Sequence, residues 1–171
     1  KLIQQRSKVL KNNSEDTIWL ETIEDQLAKL AVAICSTRLD IVNRLSFFLS
    51  EKTIGFPKLK IEFIESIENN LLKEPAIKIE ETLKLKLKDS RKLDLMMGGC
   101  LYGSHKTEFL CYNIEKNMPA DMCSSGEQKL LLVSIILSCA KSLKKSINIP
   151  PIMLLDEVFT HLDLNKKNYL F

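Results

Sequence analysis

Near its C-terminal end the chain runs Ile152-Met153-Leu154-Leu155 directly into Asp156-Glu157. A stretch that is apolar at every position has no polar side to give to water. As a strand it needs cover on both faces, which is the situation of a central parallel strand between helices. That requirement points to an α/β fold. It also places two adjacent carboxylates at the strand's end, where hard oxygen ligands suit Mg²⁺ beside a nucleotide. Upstream, residues 126–143 carry Leu130, Leu131, Leu132, Val133, Ile135, Ile136 and Leu137, and are expected as a buried helix apolar nearly all round. Ser124-Ser125-Gly126-Glu127-Gln128-Lys129 opens that helix.

Each segment has a bland reading and a chemical one. A strand that ends in a solvated acidic turn is common, and so is a Ser-capped helix with a glutamate in its first turn. The chemical reading makes Asp156 a Mg²⁺ ligand through water and Glu157 the base or orienter of an attacking water. It makes the hydroxyl of Ser124, the close backbone approach allowed by Gly126 and the helix N-terminus an anion site. The order of the two segments, the helix between them, and Leu162-Asp163 shortly after the acids favour the chemical reading.

With 171 residues and 45% hydrophobic content the chain supports one domain-sized core. A formal charge of +3 is too small to mark a nucleic-acid binder. No run reaches the roughly 18 apolar residues of a membrane span, and no signal peptide is visible in a chain that starts at Lys1. Cys35, Cys100, Cys111, Cys123 and Cys139 lack C-x-x-C spacing. They argue against a disulfide framework or zinc site and fit reduced thiols in a cytoplasmic protein.

Residues 1–13 read as the end of a basic helix, and Ser14 as the N-cap of a second, with Glu15 and Asp16 in its first turn. Apolar residues then recur at Leu20, Ile23, Leu27, Leu30, Ile34, Ile41, Leu45 and Phe48, predicting an amphipathic helix about 50 Å long. Its seam fits the packed face of a helical subdomain better than a coiled coil, and Trp19 reads as core. Gly55 and Pro57 end it, and residues 59–65 alternate like an edge strand. Over residues 77–95 periodicity leaves strand and helix open: Leu83, Leu85 and Leu87 alternate with lysines, while Ile79, Leu83 and Leu87 share a helical face, with Glu80 and Lys84 as an i,i+4 pair. The lysines at 84, 86, 88 and 92 and Arg91 read as a solvated face rather than a phosphate track, because Glu80, Glu81, Asp89 and Asp94 interrupt them. Gly98-Gly99 breaks the pattern, and Phe109-Leu110-Cys111-Tyr112 should be a strand. His105, two residues after Gly103, reads as a turn or packing residue.

The order Gly103-Ser104-His105-Lys106, Glu108, Ser124 to Lys129, Leu154-Leu155-Asp156-Glu157 and Leu162-Asp163 resembles the RecF family of bacterial recombination and repair proteins. That family shows Gly-Pro-His-Arg and then Ser-x-Gly-Gln-Gln-Lys. Gln4-Gln5-Arg6 and the long helix also resemble its helical arm, so the likeness spans the chain and favours helix over residues 80–95. It departs at Ser104 (Pro in the family), Lys106 (Arg), Glu127 (often Gln) and Thr160-His161.

The resemblance implies a partial ABC/SMC-type head with an inserted helical arm, divided as residues 1–97 (arm) and 98–171 (C-terminal part of the head). It implies ATP and Mg²⁺ as cofactors. Asp156 would serve the metal and Glu157 the hydrolytic water. Ser124, Ser125, Gly126, Glu127, Gln128 and Lys129 would form a signature that meets the nucleotide of a second subunit, with Leu162 and Asp163 in the D-loop at the dimer interface. It further implies binding to single-stranded or gapped DNA, an ATP-dependent homodimer, RecO and RecR as partners, loading of a RecA-type recombinase, a place in replication, recombination and the SOS response, and a cytoplasmic protein.

No G-x-x-x-x-G-K-[ST] occurs anywhere in the sequence. The expectation is therefore a fragment of a longer protein, or of a broken gene, with weak ATPase activity only once completed by the phosphate-loop half. Two alternatives stand beside it: part of an ABC transporter ATPase, disfavoured by Val158-Phe159 where transporters place Pro-Thr, and a non-catalytic DNA-binding or scaffolding piece.

Overall fold

The computed structural model describes residues 1–12, 17–51, 56–64 and 66–154. Their helices are α1 (Leu2–Lys11), α2 (Thr17–Ser50), α3 (Ile67–Leu71), α4 (Ala76–Asp89), α5 (Arg91–Met97) and α6 (Ser125–Ile147). Strands β1 (Leu59–Ile64), β2 (Glu108–Asn113) and β3 (Met118–Pro119) form one sheet in the order β1-β2-β3. The fold is a mixed one of helices and a small sheet. Ser14, Glu15, Asp16 and Gly55 lie outside the described residues.

Two compact units divide the chain: Lys1–Leu39 with Phe63–Glu108, and Asp40–Glu62 with Phe109–Phe171. In the first, α2 contributes small residues where α4 packs. Ala28, Ala31, Leu83, Leu87 and Cys100 form the core, with Ile3, Leu27 and Ile67 against them. The buried stripe of α2 is thus Leu20, Ile23, Ala28, Ala31, Val32 and Cys35, while Leu30, Ile34 and Trp19 are exposed. Leu20 and Ile23 are buried as the periodicity predicts, whereas Leu30 and Ile34 are not, and the small residues Ala28, Ala31 and Cys35 take buried positions on that stretch. Residues 77–95 are helical, and Ile79, Leu83 and Leu87 face inward. Lys84 pairs with Asp25 across to α2 rather than with Glu80, Lys88 pairs with Glu21 at 2.8 Å, and Lys86 sits over the Tyr102 ring.

A buried charge cluster ties this unit together. Arg6 of α1 donates to Glu24 at 2.9 Å, to Asp94 at 2.6 Å and to the Leu87 carbonyl at 2.5 Å. Asp94 also accepts from the Ser90 hydroxyl at 2.6 Å and the Leu101 N–H at 2.8 Å. Every buried side-chain nitrogen and oxygen among the described residues has a partner, which is what makes a charge inside a core tolerable. Gly98, at φ 68°, closes α5 in the left-handed conformation that favours glycine. His105 lies in the short turn Ser104–Lys106, its Nε2 2.9 Å from the Cys100 carbonyl oxygen. Arg38 donates to the Ser104 carbonyl at 2.6 Å. Burial, together with the neighbouring Glu68, pushes the Cys35 thiol up to about 12, so it stays protonated and inert as a nucleophile.

In the second unit Leu45, Leu49, Leu59, Cys123 and Leu131 form the core, joined by Ile61, Cys111, Met118, Ile135 and Cys139. Ile41, expected in the seam here, is exposed. The strand expected at 109–112 is β2, and β1 lies at the sheet edge as its alternation suggested. Two expectations are corrected. Helix α6 buries Leu131 and Val133 but leaves Leu132 exposed, so it is covered on one side rather than all round. Residues 152–154 form no strand, with Ile152 and Leu154 each 93% exposed. A strand is held by pairing with a neighbour, and no described strand pairs with this segment.

Candidate functional site

Strands β2 and β3 are antiparallel, pairing Tyr112 with Pro119 and Asn113 with Met118, so residues 114–117 form the connecting loop. Asn113 is buried and its Oδ1 accepts from the N–H groups of Glu115 (3.1 Å) and Lys116 (3.2 Å). An Asx side chain that satisfies successive amides fixes a tight loop, and Asn117 takes the left-handed φ of 51° that closes it. The Ile114 N–H reaches the Lys58 carbonyl at 3.1 Å. Lys116 is therefore presented by a braced loop.

After β3 the chain makes the short turn Ala120–Met122, and Ser124 then caps α6. Cys123 anchors the corner: its side chain is in the core and its thiol donates to the Pro119 carbonyl at 3.6 Å. The Gln128 side-chain amide donates to the carbonyls of Ala120 (3.0 Å) and Asp121 (3.4 Å), fastening the first turn of α6 to the segment before it.

Ser124, Ser125, Gly126, Gln128 and Lys129 are exposed and Glu127 is partly so. The six residues thus sit together at one helix N-terminus, open to solvent. Glu127 closes a capping box with Ser124, its Oε2 accepting from both the Ser124 N–H and the Ser124 hydroxyl at 2.9 Å. Lys116 forms an ion pair with the same carboxylate. The Lys116 ammonium, then the Ser124 N–H and hydroxyl, hold the Glu127 carboxyl down at about 2, and Glu127 in turn raises Lys116. A Cβ added at Gly126 would meet nothing within 4 Å. A helix glycine costs about 1 kcal/mol relative to alanine, and no neighbour within the described residues calls for this one. Open space before a helix N-terminus fits the approach of a phosphate from outside the chain. The Ser124 hydroxyl, however, is engaged by Glu127.

Asp156, Glu157, Leu162 and Asp163 lie outside the described residues. Among the described residues no group of three or more His, Cys, Asp or Glu side chains is placed to hold a metal ion, and no helix is long and apolar enough to cross a membrane. Lys116 was missed in the sequence. Its signal was weak: a lysine eleven positions before a glutamate becomes a partner only through the hairpin.

No family model matches the chain. It is similar throughout its length to curated proteins described as DNA replication and repair protein RecF: 36% identical over 173 residues to that of Mesorhizobium japonicum, 34% over 173 residues to that of Brucella abortus and 33% over 168 residues to that of Rickettsia bellii. The chain spans 46%, 45% and 46% of those proteins. Two solved structures of the recombination mediator protein RecF in the RecFOR pathway, one with ATP and one named RecF-ATPrS, superpose with TM-scores of 0.79 and 0.81 at 25% identity. Each covers 99% of this chain and 46% of its own.

Proposed function

The chain belongs to the RecF family, and on that premise we propose that it supplies the signature-bearing part of an SMC-like ATPase head with an inserted helical arm, acting in DNA repair and recombination. The observation that carries the proposal is the exposed N-terminus of α6, where Ser124 to Lys129 stand together and include a glycine, Gly126, that nothing among the described residues requires. In this reading Ser124, Ser125 and Gly126 meet the terminal phosphate of ATP held by a second subunit, through hydroxyl and backbone N–H groups. Gln128 fixes the helix end and Lys129 adds positive charge. Asp156 holds Mg²⁺ and Glu157 orients the attacking water, while Leu162 and Asp163 belong to the D-loop between subunits. Residues 1–97 serve as the arm and 98–171 as part of the head. The phosphate cradle comes from a half that this sequence does not contain, so any ATPase activity belongs to the completed protein. When bound, Mg²⁺–ATP supplies the triphosphate whose binding draws two heads together. The grip on single-stranded or gapped DNA, RecO and RecR as partners, recombinase loading, the SOS response and a cytoplasmic location are part of the same proposal.

The test uses the protein completed by its phosphate-loop half. Asp156→Asn is expected to abolish both ATP-dependent dimerisation and ATP-dependent retention on gapped DNA. Ser124→Arg is expected to abolish dimers in sedimentation while ATP binding persists in calorimetry. DNA retention that survives in both variants would instead support a scaffold without a nucleotide switch.

A further inference from the structure

The capping box also occupies the group the signature needs. The Ser124 hydroxyl and N–H both point into one carboxylate, Glu127, at 2.9 Å. Lys116, delivered by the braced 114–117 loop, pairs with that carboxylate from the other side. A carboxylate at a helix N-terminus occupies the position and sign of an incoming phosphate. A γ-phosphate oxygen therefore cannot take the Ser124 donors while Glu127 holds them, and Glu127 would confront it with a like charge.

We propose that Glu127 and Lys116 form an autoinhibitory latch on the signature, one that must swing off Ser124 before the signature can engage nucleotide. This inference rests on the reading of Ser124 as a phosphate contact. Opening the latch carries the Glu127 carboxylate away from Ser124, so the rearrangement is conformational and exchanges one anion for another at the Ser124 donors. The latch makes the chain's response to ATP less sensitive than a signature with free Ser124 donors. The apparent affinity is reduced by the fraction of molecules in the open state.

The experiment measures the ATP concentration at half-maximal dimerisation of the completed protein by light scattering. Glu127→Ala is expected to lower that concentration about fivefold, the factor expected if roughly one molecule in five is open at rest. Lys116→Met, on the exposed loop, loosens the latch without touching the helix and should move it in the same direction by a smaller factor. A capping role alone would leave the ATP response unmoved or weaken it. An unchanged or raised ATP requirement in both variants, with Ser124→Arg still abolishing dimers, overturns the latch and leaves the signature reading standing. Dimers that persist in Ser124→Arg overturn that reading and the latch with it.

Discussion

At the scale of single residues, Glu127 shows how one carboxylate can serve the fold and oppose the chemistry. Its carboxyl sits at about 2 against an ordinary 4.5, held there first by Lys116 and then by the Ser124 N–H and hydroxyl. A depressed folded value means the ionised group favours the folded state. Its contribution is complete above pH 4.5 and fades as pH falls toward and through about 2. The carboxyl carbon of Glu127, followed by NMR, is therefore expected to titrate near 2 and to move upward in Lys116→Met, since Lys116 is the largest cause. The thermal midpoint of the unsubstituted protein should exceed that of Glu127→Ala at neutral pH, and the gap should close below pH 4.5. A midpoint near 4.5 with Lys116 intact would mean the ion pair does not persist in solution. Arg6 gives the contrasting case: wholly buried and fully paired, it carries no signal of reactivity and serves the fold alone.

At the scale of elements, α4 settles a segment whose periodicity admitted two structures. Leu83 and Leu87 lie in the core while Leu85 is 63% exposed, which is helical rather than alternating burial. Leu83→Ala is accordingly expected to cost about 2–5 kcal/mol in urea denaturation, and Leu85→Ala less than about 0.5 kcal/mol. Equal costs would contradict the helical face. The elements legible in the sequence were those with a strong local pattern: the long α2, the edge strand β1, β2, and the glycine stop after α5. What was illegible depended on partners. Ala28 and Ala31 are unremarkable by hydropathy, yet they share the buried core with Leu83 and Leu87 of α4. The Ser124 to Lys129 cluster was legible because its residues are consecutive, whereas Lys116 reaches it only through a loop fixed by Asn113.

At the scale of the whole molecule, a segment for which the sequence most strongly required cover is among the exposed apolar surface. Ile152 and Leu154 are almost fully exposed, Ile149 largely so, and Leu132 breaks the burial of α6. Each such side chain is worth about 1.5–3 kcal/mol when fully buried, and an extended apolar segment without a paired neighbour invites intermolecular pairing. The chain spans about 46% of the length of its relatives, and on the reading proposed above the rest of the head supplies that cover. Expressed alone, the chain is expected to bind a hydrophobic dye, to self-associate as concentration rises and to bind ATP weakly or not at all. Joined to its phosphate-loop half, it should lose the dye signal, and the amides of Ile152, Met153 and Leu154 should gain protection from hydrogen exchange as the segment acquires a strand neighbour. A monomeric, dye-silent chain that unfolds in one cooperative step and binds ATP tightly without that half would show that these residues need no cover, and would remove the reason for reading residues 152–155 as a central strand of the completed head.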